Sequence, residues 1–517
     1  MIVRRYGWAA LLAIAALAFS AHFSQRAPCG SWANAIFAEQ AWGEADPGSF
    51  YFAAAHELAW GESPLFVGHP GAPLLPLLYG VQSALYLVLG DDDSSFTRFI
   101  AQHLPTAFLA SKLLMTVLHL LSFVAVHGLA RQLLRDPRAA TLATLGYATC
   151  FPVLYFLSRI SVEPLMVGFF AAAFWASWRY EDLAREGRLA ASLAWVGLAA
   201  AAAVSGALSK LAFVGPLPFL LALQIGFGSG RSEPLGPIAW RVRWRALAVF
   251  GAVALVTLAL YSQIIDWSQF ARAWRKIARK PLSDGWELLD LLPGLGSARI
   301  YLAAELGFAL CAVFGWGMFL RRRPADRRRA LWLSAYGAWG LALFLYRVSL
   351  EGNFLPFHYS FVPQATAAVF FGYAGVELWR RMGFGWGWRA GLAAAAALIL
   401  LHGVGFVAVV DARRHDAEKF AVRGPIYPLI AQLEPGERLA VLQQRWKPEM
   451  LRERLIHVHG FSFPFMWHPR ESLLLNEFES FFSLARRRRV PAGTELTFVP
   501  VFGAKVARLP ARAVPAP

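Results

Sequence analysis

Glu39, Glu44, Asp46 and Glu57 stand in a polar stretch, residues 24–72, that interrupts an otherwise apolar chain directly after its first hydrophobic run. The stretch closes on Gly68-His69-Pro70-Gly71. A carboxylate held at a low-dielectric boundary can take a proton from an attacking hydroxyl. Asp46 is the foremost candidate for that base. It opens Asp46-Pro47-Gly48-Ser49-Phe50-Tyr51, where Pro47-Gly48 marks a turn and a helix is expected to start near Ser49. Capping that helix is the plain alternative role. Glu39 and Glu44 are rivals, but neither precedes such a Tyr-bearing helix start.

Further along, Glu163 ends the short turn Ser158-Arg159-Ile160-Ser161-Val162-Glu163. An acid at the mouth of an apolar run is costly unless solvated or used. It reads either as a surface pair with Arg159, four residues earlier, or as a second site acid facing Asp46. Lys210 interrupts Gly206-Ala207-Leu208-Ser209-Lys210-Leu211-Ala212-Phe213. It either snorkels to headgroups or neutralises a lipid phosphate. His358-Tyr359, after Pro356-Phe357, suits an interfacial anchor, or a group binding phosphate or an acceptor. Arg275 and Lys276 lie in loop 265–298 among Phe270, Trp274 and Ile277, the pattern of a basic amphipathic helix on a membrane. They suit phosphate or anionic lipids. No cofactor is implied. The acids allow a divalent ion between Asp46 and Glu163 without calling for one, because no His/Cys/Asp cluster has ligand spacing.

The elements that must position these residues are membrane helices. The chain has 517 residues, 57% hydrophobic and 16% charged. Apolar runs of spanning length recur near 7–23, 73–90, 105–130, 139–157, 164–180, 190–208, 211–228, 246–264, 299–320, 330–346, 359–379 and 389–410. The net charge of +17 sits mostly in short loops between these runs, so the positive-inside rule accounts for it and nucleic-acid binding is excluded. Cys29, Cys150 and Cys311 form no metal or disulfide pattern.

Orientation follows from the basic loops 131–138, 185–188, 231–245, 321–329 and 380–389, all expected on the cytoplasmic side. That holds only if 73–90, from Pro73 to Gly90-Asp91-Asp92-Asp93, lies in the outer interface instead of crossing. About eleven spans remain, with the N-terminus inside and the C-terminus outside. The first run, behind Arg4-Arg5, reads as an uncleaved helix in preference to a signal peptide. The expected fold is an all-α polytopic membrane protein over 1–410. A small α/β domain on the outer face follows over 411–517, with a helix at 420–433 and strands at 438–443 and 495–501.

Together these residues resemble a family. Asp46 with Tyr51, followed by Gly68-His69-Pro70 opening an interfacial segment, is similar to the first outer loop of GT-C glycosyltransferases. The bacterial branch of protein O-mannosyltransferases and aminoarabinose transferases is the nearest likeness. Ser158-Arg159 to Glu163-Pro164 resembles that family's second acidic turn, and Ser205-Gly206 to Lys210 its G-x-x-x-x-T-K stretch. His358-Tyr359-Ser360-Phe361-Val362-Pro363 looks like its R-Y-x-x-x-x-P helix start. Pro47, Gly71, Glu163 and His358 depart from the family pattern.

The resemblance implies transfer of a sugar from a polyprenyl-phosphate donor to a lipid, glycan or protein acceptor at the outer face of a bacterial inner membrane. Asp46 and Glu163 would be catalytic. Lys210, Arg159, His358, Arg275 and Lys276 would bind the donor phosphate. Tyr51, His69 and Tyr359 would position the loop or the acceptor. Membrane lipids are the other expected partners. A transporter of lipid-linked glycan and a degenerate scaffold are the competing readings. Grouping of the ionisable residues at outer turns speaks against the transporter.

Overall fold

The computed structural model describes residues 71–90, 103–210 apart from 158, 215–228, 238–268, 298–351 and 360–382, with short pieces within 51–60 and 96–100, Ala271, and four strands between 438 and 509. The expected helix 420–433, the run 389–410 and the first run lie outside the described residues.

The helices follow the apolar runs. They are α1 (Leu74–Leu89), α2 (Leu104–Leu134), α3 (Pro137–Thr149), α4 (Phe151–Phe156), α5 (Glu163–Arg185), α6 (Leu189–Ser209), α7 (Leu217–Phe227), α8 (Trp240–Tyr261), α9 (Ala298–Arg322), α10 (Arg327–Glu351) and α11 (Phe361–Met382). By length and composition Thr106–Leu134, Leu189–Ser209 and Trp240–Tyr261 can cross a bilayer. α5, α9, α10 and α11 have 23, 25, 25 and 22 residues.

Two expected spans are not continuous. The run 139–157 is two helices, because Pro152 has no N–H and its ring would meet a carbonyl one turn earlier. The helix stops at Thr149, and Pro152 falls in the first turn of α4, where the missing donor is harmless. In 211–228, Pro216 and Pro218 set the start of α7, which keeps 11 residues, about 16 Å at 1.5 Å per residue. The segment 73–90 forms α1, at 16 residues shorter than the usual span. Leu74, Leu75, Leu78 and Gln82 are buried, and Leu87 and Val88 near its end are 83% and 77% exposed.

Turn chemistry joins the helices. α2 ends on Arg135 in the left-handed region, Asp136 caps α3 by accepting from the amides of Arg138 and Ala139, and Pro137 takes the first helical position. The core is built by α2, α3, α5, α6 and α11, with small residues where backbones meet. At Gly372 of α11, a Cβ would stand 2.3 Å from the carbonyl oxygen of Ala139, so only glycine permits this contact with α3.

The basic turns converge on one end of the bundle. Arg135 donates to Asp326 at 3.0 Å, Arg329 to Asp182 at 2.9 Å, and Arg380 to Asp136 at 2.5 Å. Arg322 and Glu377 are also paired. The turns 131–138 and 321–329 and the helix end at Arg380–Arg381 therefore share one end of the bundle, as the charge pattern requires.

Beyond the helices, β1 (Arg438–Leu442), β2 (Phe482–Leu484), β3 (Leu496–Val499) and β4 (Ala504–Leu509) form a sheet of order β2-β1-β4-β3. β1 runs parallel to β2 and antiparallel to β4, with Val441 opposite Val506; β3 and β4 are antiparallel. β1 and β3 fall on the expected strands. β4 has Lys505 and Arg508 on an uneven spacing, so no period of two announced it.

Candidate functional site

Glu163 occupies the first position of α5, and Lys210 directly follows the last residue of α6. Each charge sits at the helix end whose dipole favours it, the anion at an N-terminus and the cation at a C-terminus. Antiparallel packing of α5 on α6 brings the two together, and Lys210 Nζ donates to Glu163 Oε1 at 2.5 Å. Both side chains are inside, at 1% and 3% exposure. The surface pair with Arg159 is therefore not formed, and Lys210 does not snorkel outward. Glu163 Oε2 and Ser161 Oγ are buried and make no hydrogen bond among the described residues.

The segment that closes the acidic loop is tied to this place. The amide of Ala72 donates to the carbonyl of Leu208 at 3.3 Å, two residues before Lys210. Ala72 also packs with Val204, Leu208 and Ile265. Beside it, Gly71 has φ +48°, and a Cβ there would stand 2.3 Å from Tyr51 Cε1, so the ring of Tyr51 lies flush on the glycine. Tyr51 is fully buried. Its neighbour Phe52 stacks on Phe108 of α2 with ring centroids 4.3 Å apart, and its carbonyl accepts from Gln82 of α1 at 3.0 Å. Ser205 Oγ and Tyr261 Oη are 3.3 Å apart, joining the same end of α8 to α6.

Of the sequence-derived set, the structure brings Glu163, Lys210, Tyr51 and the buried Arg159 to the end of the bundle opposite the basic turns. Asp46, His69, Arg275, Lys276, His358 and Tyr359 lie outside the described residues. Ser360 and Phe361, which follow Tyr359, are buried at the start of α11. Sequence reasoning missed the polar stripe of α2: Ser111, Lys112, Thr116, His119 and Ser122 are all buried. Lys112 and His119 stand in the apolar run 105–130, and an ionisable residue inside a span was the available signal. Among the described residues no three His, Cys, Asp or Glu side chains are grouped to hold a metal ion.

A buried ammonium paired to a carboxylate at a helix mouth can also donate to a competing anion. A phosphate arriving at this turn would meet Lys210 already oriented by Glu163.

No family model matches the chain, and no curated protein sequence does. Solved structures do. ArnT from Cupriavidus metallidurans bound to undecaprenyl phosphate is similar over 99% of this chain and 100% of its own, with a TM-score of 0.55 and 14% identity. The Archaeoglobus fulgidus oligosaccharyltransferase in its apo form is similar over 79% of this chain, with a TM-score of 0.45 and 16% identity. This chain spans 56% of that protein's length. The archaeal oligosaccharyltransferase AglB with an inhibitory peptide and a dolichol-phosphate gives a TM-score of 0.43 and 15% identity, over 81% and 56% of the two chains. This chain is a multi-pass helical membrane protein with the fold of that ArnT structure.

Proposed function

We propose that this chain, built on the ArnT-like fold, transfers a sugar from a polyprenyl-phosphate donor to a lipid, glycan or protein acceptor at the outer face of a bacterial inner membrane, with inversion. The observation that carries this reading is the buried Lys210–Glu163 pair at the end of the bundle where the acidic loop is tethered through Ala72. Fold alone would not carry it. The ArnT structure holds undecaprenyl phosphate, and this chain takes the same ligand class.

In the proposed reaction an acceptor oxygen attacks the anomeric carbon from the face opposite the phosphate. The bond from that carbon to the phosphate oxygen breaks, and the electron pair leaves on the phosphate. The transition state has oxocarbenium character. Phosphate is a good leaving group, so it needs nearby positive charge more than it needs an acid. Lys210 supplies that charge, with Arg159, His358, Arg275 and Lys276 as further donor-phosphate ligands. Asp46 takes the acceptor proton. Glu163 holds the ammonium of Lys210 in place and is the second acid of the site. Tyr51, His69 and Tyr359 position the loop or the acceptor.

The test is Asp46→Asn, which keeps size and capping ability and removes the base. With synthetic polyprenyl-phosphate sugars and a panel of acceptors, turnover should fall by about 100-fold or more. Expression and melting temperature should stay near wild type. An active Asp46→Asn protein would remove Asp46 from the mechanism and make Glu44 or Glu163 the base.

A further inference from the structure

We propose that His119 and Thr116 of α2 are positioning residues that fasten the turn carrying Arg159 and Glu163, a role that rests on the sugar-transfer reading only for its effect on catalysis. The turn from Leu157 to Val162 joins the short helix α4 to α5 and is not helical beyond its start. Its backbone is deep in the protein: Ile160, Ser161 and Val162 are 1%, 0% and 0% exposed. A chain that leaves a helix inside a membrane bundle must find donors for its freed carbonyls within the protein, since no water is there to supply them.

α2 supplies those donors. His119 Nε2 lies 3.2 Å from the carbonyl oxygen of Phe156, which also accepts the amide of Arg159 at 3.0 Å. A carbonyl cannot donate, so the proton of His119 is on Nε2. Thr116 Oγ lies 3.3 Å from the carbonyl oxygen of Leu157 and 3.3 Å from that of Lys112 in its own helix, and gives its proton to one at a time. Both side chains are fully buried. The ring of His119 is 6.3 Å from those of Phe123 and Phe361, and Phe361 in turn packs edge-on against Phe156 at 5.7 Å.

His119 therefore stands at a junction of α2, the end of α4 and the start of α11. Its Nδ1 is buried and has no hydrogen bond among the described residues. Among the described residues the side chain thus has one polar contact, to the last carbonyl of α4, from which the turn departs. Only six residues separate Phe156 from Glu163, so where α2 holds the first sets where the second meets Lys210.

The experiment uses the full chain in nanodiscs and three variants. His119→Phe keeps a ring and removes the donor. His119→Gln places an amide N–H near the position of Nε2. Thr116→Val keeps shape and removes the hydroxyl. Hydrogen exchange of the 157–162 amides and steady-state transfer are both measured. In His119→Phe, exchange in the turn should rise about tenfold, the equivalent of leaving a buried carbonyl short of a donor. Exchange in α6 should not change. Transfer at low donor should fall about tenfold, chiefly through a raised KM for the donor because the turn places its phosphate ligands, and His119→Gln should restore both readouts. Thr116→Val, the milder change, should raise exchange about threefold. Wild-type exchange of the turn in both His119→Phe and Thr116→Val would overturn the proposal, as would His119→Gln behaving like His119→Phe. Should His119→Phe fail to fold, the exchange result for Thr116→Val decides. If exchange follows the expected order but the wild-type protein transfers no sugar, the fastening stands and the sugar-transfer reading falls.

Discussion

Replacing Lys210 by Met and Glu163 by Gln, singly and together, separates the structural from the chemical role of the buried pair. At 2.5 Å, two unit charges attract by about 7 kcal/mol at an effective dielectric of about 20. Taking the two ions out of water costs several kcal/mol each, so the intact pair contributes little net stability. Each single variant breaks the buried pair from one side, which should cost about 3–5 kcal/mol. The double variant leaves no charge, and most of that loss should return. Thermal unfolding in one detergent reads the cycle: the double variant should lose far less stability than the two single losses summed. Donor binding reads the chemistry. The double variant should be folded and still bind a polyprenyl-phosphate sugar at least tenfold more weakly, because the ammonium is gone. Additive stability losses would refute the pairing as an energetic unit. Wild-type donor affinity in the folded double variant would refute Lys210 as a phosphate ligand.

Two further outcomes follow from the fold. Single cysteines placed at Arg138 and at Arg508, both exposed, should be labelled by a membrane-impermeant reagent from opposite sides, Arg508→Cys from outside. Outside labelling of Arg138→Cys would sink the orientation. Gly71→Ala forces a side chain into the left-handed region and against Tyr51, and should lower stability by about 1–2 kcal/mol from the backbone term alone. An unchanged melting temperature would show that Tyr51 does not rest on this glycine.

Glu163 and Lys210 were both legible in the sequence as charges interrupting the ends of apolar runs. Their pairing was not, because 47 residues separate them and nothing local links them. Arg159 looked like the partner of Glu163 by its spacing of four, but that spacing brings side chains together only on a helix, and the chain from Arg159 to Val162 is not one. The convergence of the basic turns was legible because charge orders membrane loops whatever their packing. The split of 139–157 was written in Pro152 yet was outweighed by the continuous apolar run. His119 and Thr116 were hidden for the opposite reason: their partners are backbone carbonyls, which leave no mark in sequence.

The ion pairs at the basic end have a consequence for how the chain is made. Arg329 has no exposed surface and bonds Asp182 and Glu181, residues 147 and 148 positions earlier. At about 5–20 residues per second, synthesis leaves these two acids without Arg329 for about 7–30 s. Arg185, one turn along α5, lies 3.7 Å from each of them and is born almost at once. It is a resident counter-charge for an unfinished bundle. When Arg329 arrives it also lies 5.7 Å from the Trp178 ring and donates to the Trp178 carbonyl. The late helix is thereby registered against the early one at Trp178, Glu181 and Asp182.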